Sequence, residues 1–88
     1  MINNIPVFNI PLKDKTSATQ LNKVIEEHNE VIGAYTEYIR TQEKEHLIEE
    51  LIDSIQANYT MLRTLGVKDT DFEKHITKKF KYDRINRF

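Results

Sequence analysis

Two acidic pairs lie in one long stretch of helical periodicity, Glu27 with Glu30 and Glu50 with Asp53, and they limit what the chain can fold into. The members of each pair are three residues apart, a turn of only about 60° around a helix, so each pair shares one side. Nineteen residues, 31–49, separate the pairs. Like charges this close repel, and two such pairs brought together in a fold need a cation between them. Mg²⁺ suits that place, because it is a hard cation that takes carboxylate oxygens and leaves positions open for phosphate.

The first pair sits on an amphipathic helix. Thr16, Ser17 and Thr19 offer N-caps for a helix running to about Thr41. At 100° per residue, Leu21, Val24, Ile25, His28, Val31, Ile32, Tyr35, Tyr38 and Ile39 fall in one broad arc, the expected core face. Glu27 falls inside that arc beside Val31 and Tyr38, and Glu30 at its edge, whereas Glu26 and Glu37 lie outside it. A carboxylate on a buried face is costly unless it is paired or binds metal. The alternative is an edge glutamate whose stem packs while its head reaches water. His28, central in the arc, reads as a core or interface histidine rather than a ligand.

A polar junction at residues 42–44 leads to a second helix from about Glu43 to Leu65, with Gly66 as a natural C′ residue. Leu47, Ile48, Leu51, Ile52, Ile55, Tyr59 and Leu62 form its main apolar stripe. Glu50 and Asp53 lie on the opposite side, with His46, Ser54, Ala57 and Met61. That side is either a solvated face or a second face of small residues, packed closely against a neighbouring helix that brings its own carboxylates near. A third helix is expected from about Phe72 to Arg84, docked by Phe72, Ile76 and Phe80, with Asp69, Thr70 and Asp71 as cap candidates. Before the first helix, Pro6 and Pro11 block helix formation over residues 1–15. This extended arm carries Ile5, Val7, Phe8, Ile10 and Leu12, which are expected to cover a hydrophobic edge. The chain thus divides into an arm, 1–15, and an all-α helical domain, 16–88, built as a bundle of three helices.

At 88 residues such a domain is small for a self-sufficient core, and a partner subunit is expected. With 39% hydrophobic and 31% charged residues it reads as folded rather than disordered. The absence of cysteine excludes a thiolate metal site, a cysteine nucleophile and a disulfide framework, and permits a cytoplasmic location. No apolar run approaches the roughly 20 residues of a membrane span, and residues 1–15 lack signal-peptide character. The net charge of −1 conceals an asymmetry. Residues 26–53 hold nine acidic and two basic side chains, a net of −7, and residues 74–88 hold six basic and one acidic, a net of +5. An acidic middle with a basic tail suits an anion bound through metal on one side and through Lys and Arg on the other.

The runs IEEHNEV in the first helix and EELID in the second resemble the MazG-like, all-α nucleoside triphosphate pyrophosphohydrolases, whose signature is an ExxE pair and an ExxD pair separated by a variable loop. The later segment HITKKFKYDR echoes that family's basic motif, and the similarity spans roughly residues 19–84. The resemblance implies cleavage of a nucleoside triphosphate to a monophosphate and pyrophosphate, in a nucleotide-pool housecleaning or related role. Glu27, Glu30, Glu50 and Asp53 would then be the Mg²⁺ ligands and catalytic carboxylates. Lys79 and Arg84 would face the phosphates; they are five apart where the family usually has four, and Lys78 or Lys81 is an alternative. Asn58 is a base or sugar contact by position only. The resemblance also implies a homodimer or a dimer of dimers, whose helices form a four-helix-type bundle and whose sites draw on two chains. Two readings from other classes stand beside this one. The first is a non-catalytic helical interaction module with a wet acidic face. The second is a nucleic-acid binder using residues 74–87, which the acidic middle disfavours.

Overall fold

A computed structural model describes residues 7–79. Three helices follow in order, α1 (Ser17–Thr41), α2 (Glu45–Thr64) and α3 (Asp69–Lys79), and no strand occurs among the described residues. The all-α expectation holds. Among the described residues, however, only α1 and α2 pack on each other along their lengths, and α3 lies against neither. The expected docking through Ile76 and Phe80 falls on side chains outside the described set. Phe72 is exposed, although it borders a small cleft with Tyr59 and Leu62.

The chain ends α1 and starts α2 within three residues, which forces an antiparallel hairpin. As α1 advances through Gln20, Glu27 and Glu37, its partners on α2 recede through Ala57, Glu50 and His46. Both ends of α1 are closed by side-chain and backbone chemistry visible in the sequence. Thr16 and Thr19 form a reciprocal capping box: the Thr19 N–H donates to Thr16 Oγ1 at 3.1 Å, and the Thr16 N–H to Thr19 Oγ1 at 3.0 Å. At the other end Gln42 takes a left-handed conformation, φ 63°, and reverses the chain.

The helix faces are arranged differently from the expected core. Gln20, Glu27 and Ala34, seven residues apart, are buried, and Val24, Val31, Tyr38 and Thr41 between and beyond them are half-buried. Opposite them, Ala57 and Thr60 are buried and Leu47, Glu50, Ser54, Met61 and Thr64 half-buried. Leu21, Ile25, Ile32, Tyr35 and Ile39 of α1, together with Ile48, Leu51, Ile52 and Ile55 of α2, face outward at 39–55% exposure. His28 lies exposed among them. Ala34 and Ala57 are the only buried hydrophobic residues among those described. Most of the apolar arc of α1 and of the main stripe of α2 therefore lies on the outer surface of the hairpin, with Val24, Val31, Tyr38 and Leu47 at the seam, and the small-residue face of α2 is its inner one. The cause is steric. Small side chains let two backbones approach, whereas the isoleucine-rich stripes would hold them apart.

The far end of α2 is a Schellman motif. The Gly66 N–H donates to the Arg63 carbonyl at 3.0 Å and the Val67 N–H to the Leu62 carbonyl at 3.1 Å, with Gly66 at φ 74°. A Cβ at Gly66 would meet no atom within 4 Å, so its replacement costs backbone strain alone. Gly66→Ala is expected to destabilise the fold by about 1 kcal/mol in chemical denaturation, with no change of helix content in the native state. An unchanged midpoint would show that this end does not need its left-handed residue.

Candidate metal centre

The antiparallel hairpin brings the second acidic pair opposite the first. Glu27, Glu50 and Asp53 each offer a carboxylate oxygen, and the three oxygens lie within 4.8 Å of one another. Glu27 is buried, Glu50 half-buried and Asp53 exposed, so the group opens from the seam to solvent on one side. Glu30 is not among the three: it is exposed and makes no hydrogen bond or ion pair with the described residues. Of the four carboxylates singled out by spacing, the fold brings three together.

Each inner carboxylate has a resident partner one helical turn earlier. Lys23 Nζ lies 2.8 Å from Glu27 Oε1 and 3.5 Å from Glu26 Oε1. The hydrogen bond to Glu27 raises the Lys23 pKa above its ordinary value; burial opposes this, and the charges of Glu27 and Glu26 add to it. Because a raised lysine pKa adds stability below its unfolded value and loses it only as pH rises through the folded one, the pair is intact at neutral pH. Glu50 Oε1 lies 3.1 Å from His46 Nε2, and the other ring nitrogen of His46 faces Glu37 of α1 at 3.9 Å. His46 therefore orients Glu50, whereas its approach to Glu37 across the hairpin is too long for a hydrogen bond. Asp53 has no such partner among the described residues.

Two of the carboxylates, Glu27 and Asp53, border an open cleft of about 300 Å³, lined also by Lys15, Gln20, Lys23, Gln56, Thr60 and Ile10. Gln20 fixes the closed end: it is buried, and its Nε2 donates to the Ala57 carbonyl at 3.0 Å. Ile10 and Lys15 come from the N-terminal segment, held by α2 through its backbone. The Phe8 N–H donates to Gln56 Oε1 at 2.7 Å, and Gln56 Nε2 donates back to the Phe8 carbonyl at 3.0 Å. Tyr59 donates to Asn9 Oδ1 at 2.9 Å and Arg63 to the Ile10 carbonyl at 2.6 Å. Residues 7–12 are neither helix nor strand, and side-chain bonds from α2 hold the segment there.

Sequence reasoning missed Lys15, Lys23, His46 and Gln56. Lys23 and His46 each stand four residues before an acidic residue of a pair, and that i,i+4 relation was the available signal. Of the expected phosphate contacts, Lys78 is exposed on α3, the side chain of Lys79 is outside the described set, and Arg84 and Lys81 lie outside the described residues. Asn58 is exposed and its Nδ2 donates to the Ser54 carbonyl at 2.8 Å, a bond within α2.

Comparison of the chain with protein-family models, curated proteins and solved structures finds no match. Nor does any helix among the described residues have the length and apolarity to cross a membrane.

Because Gln56 makes two of the bonds that hold the segment against the cleft, Gln56→Met is expected to weaken its docking by about 1 kcal/mol. The Phe8 amide should then exchange roughly fivefold faster, with α1 and α2 amides unaffected. Equal Phe8 protection in both proteins would mean that packing alone holds the segment.

Proposed function

We propose that the chain is a Mg²⁺-dependent nucleoside triphosphate pyrophosphohydrolase that works as a homodimer or a dimer of dimers. The observation that carries the reading is the convergence of Glu27, Glu50 and Asp53, the residues that the resemblance to the MazG-like enzymes assigns to metal. Three oxygen donors of one chemical class fit a hard divalent cation, and the burial of Glu27 favours a site where positive charge is supplied. Glu27, Glu50 and Asp53 would hold Mg²⁺, with Glu30 reaching the site only from its exposed position. Bound there, the ion neutralises phosphate charge and acidifies water.

The chain's own groups divide the remaining work. Asp53, exposed at the cleft and without a hydrogen-bond partner among the described residues, would offer one oxygen to the ion and keep the other available to take a proton from attacking water. His46 keeps Glu50 directed at the seam. Basic side chains, for which the resemblance offers Lys78, Lys79 and Arg84, would bind the leaving pyrophosphate. The product pair, a nucleoside monophosphate and pyrophosphate, suits housecleaning of the nucleotide pool.

The oligomer follows from the outward apolar faces. A two-helix hairpin with two buried alanines has too little core to persist alone, and nine half-exposed large apolar side chains are available to bury. Already about half covered, each would contribute about 0.7–1.5 kcal/mol on burial of the remainder, and a second copy supplies the same stripes. Two hairpins joined this way make the four-helix arrangement.

A second reading has its own observation. The Lys23–Glu27 contact already compensates the buried carboxylate, so a non-catalytic helical interaction module needs no metal to explain Glu27.

The two readings separate in a pyrophosphate-release assay across the common ribo- and deoxyribonucleoside triphosphates. Mg²⁺-dependent release is expected, with loss of at least a hundredfold in Glu27→Gln and Asp53→Asn at unchanged helix content. No release from any triphosphate would favour the interaction module. For the oligomer, sedimentation is expected to give a dimer or larger even assembly, and Ile32→Lys combined with Ile52→Lys is expected to dissociate or unfold it. A monodisperse 10.5 kDa species from the unmodified chain would overturn the assembly.

A further inference from the structure

Among the described residues, Lys23 is the one basic side chain placed on both the carboxylate group and the cleft beside it. Its ammonium sits 2.8 Å from Glu27 Oε1, the innermost of the three carboxylates. It also lines the cleft of about 300 Å³ and a second, shallower cleft bounded by Lys13, Lys15 and Thr19 on the outer side of the α1 start. Lys15 borders both clefts as well, so two lysines stand beside Glu27 and Asp53 in the first cleft, and three beside Asp14 in the second.

The contact is built to be broken. The Lys23 side chain is half-exposed, so its head is not caged, whereas the Glu27 side chain is only 10% exposed and cannot leave the seam to follow it. A divalent ion at the three oxygens would place two positive charges where the ammonium now supplies one. Like charges that close repel, so an ion at the three oxygens would disfavour the ammonium in its present place. The long, flexible lysine stem allows the head to swing, while the carboxylates remain fixed by the hairpin. The adjoining cleft, which Lys23 already lines, offers the head another position beside Lys15.

Resting on the metal reading above, we propose that Lys23 is an exchangeable counter-ion: it neutralises Glu27 when no divalent ion is held, and passes to the phosphate groups of an anionic ligand in the adjoining cleft when one is. The same side chain thus opposes metal uptake alone and favours metal uptake together with a polyphosphate. Phosphate recognition then begins on α1, one turn before the metal ligands, and does not depend on the tail alone.

The test uses opposite signs, which a merely structural role does not produce. Binding of Mg²⁺ alone, and of inorganic pyrophosphate at saturating Mg²⁺, is measured by calorimetry at neutral pH for the full chain, Lys23→Met and Lys23→Arg. Lys23→Met keeps the apolar stem and removes the charge. It is expected to bind Mg²⁺ roughly three- to tenfold more tightly and pyrophosphate roughly tenfold more weakly. Lys23→Arg, which keeps the charge, is expected to stay near the unmodified chain in both and serves if Lys23→Met fails to fold. Unchanged Mg²⁺ affinity in Lys23→Met, or both affinities moving the same way, overturns the proposal and leaves the metal reading standing. A large change of Mg²⁺ affinity in Lys23→Arg also overturns it, since charge would not be the cause. If the unmodified chain takes up no Mg²⁺, the metal reading fails and the counter-ion role with it.

Discussion

The burial of the Glu27 carboxylate between α1 and α2 is the constraint on which the rest of the molecule depends. An ionised carboxylate with 8% residual exposure is stable only beside positive charge, and within one hairpin the available group is Lys23, a turn earlier on the same helix. The residues around Glu27 on the seam must then be small or polar. Ala34, Ala57, Ser54, Thr60 and Gln20 meet that need, and the Gln20 bond to the Ala57 carbonyl shows how closely the backbones approach. A seam of this composition buries little apolar area. Stability has to come from the other faces of the same helices, which is where the large aliphatic side chains are found. A polar inner seam and an unsatisfied apolar outer surface are therefore two results of one placement.

Register carries the geometry from the turn to the carboxylates. Each residue advances a helix by about 1.5 Å and rotates it by about 100°, so a slip of one residue at residues 42–44 would turn Glu50 and Asp53 away from Glu27. The left-handed Gln42 and the short junction fix the slip near the turn. The contact between His46 and Glu37 repeats the alignment one step along, and the Gln20 bond to Ala57 repeats it at the far end. Three carboxylates can be held against their repulsion because the hairpin is locked on both sides of them. The segment before α1 adds a further tie, since Gln56 and Arg63 bind its backbone and not its side chains.

Much of this was legible in the sequence, and the parts that were not share a physical reason. The helices, the capping threonine, the Gly66 terminus and the shared side within each acidic pair follow from local rules acting over three or four residues, whereas the meeting of Glu27 with Glu50 and Asp53 depends on which faces pack. The packing direction does not follow from those rules. On α1 the stripe through Gln20, Glu27 and Ala34 lies next to the stripe through Leu21, Ile25 and Ile32, and periodicity reports only that the combined arc is apolar. Hydrophobicity marks what must be covered eventually, by the same chain or by another, whereas side-chain size decides which stripe a neighbouring helix can reach. The small residues of α2 held that information, and the isoleucines drew attention from it. The bonds from Gln56, Tyr59 and Arg63 were hidden for a different reason. Their acceptors are mostly backbone carbonyls, which every residue carries and no pattern displays.

The acidic character of residues 26–53 gains a sharper meaning from the same geometry. Of its nine carboxylates, Glu27, Glu50 and Asp53 converge, while Glu26, Glu30, Glu37, Glu43, Glu45 and Glu49 are exposed. The exposed ones act at a distance: they lower the electrostatic potential over the hairpin, which draws cations toward the cleft and repels a long polyanion. A short polyphosphate is a different case, because it approaches with its own counter-ions and needs positive charge only where it docks. Lys15 and Lys23 provide that charge locally, at the edge of the acidic field and within reach of the converging carboxylates. On the reading proposed above, an acidic surface with two lysines set at one cleft would favour a short anion over a long one through the placement of charge alone.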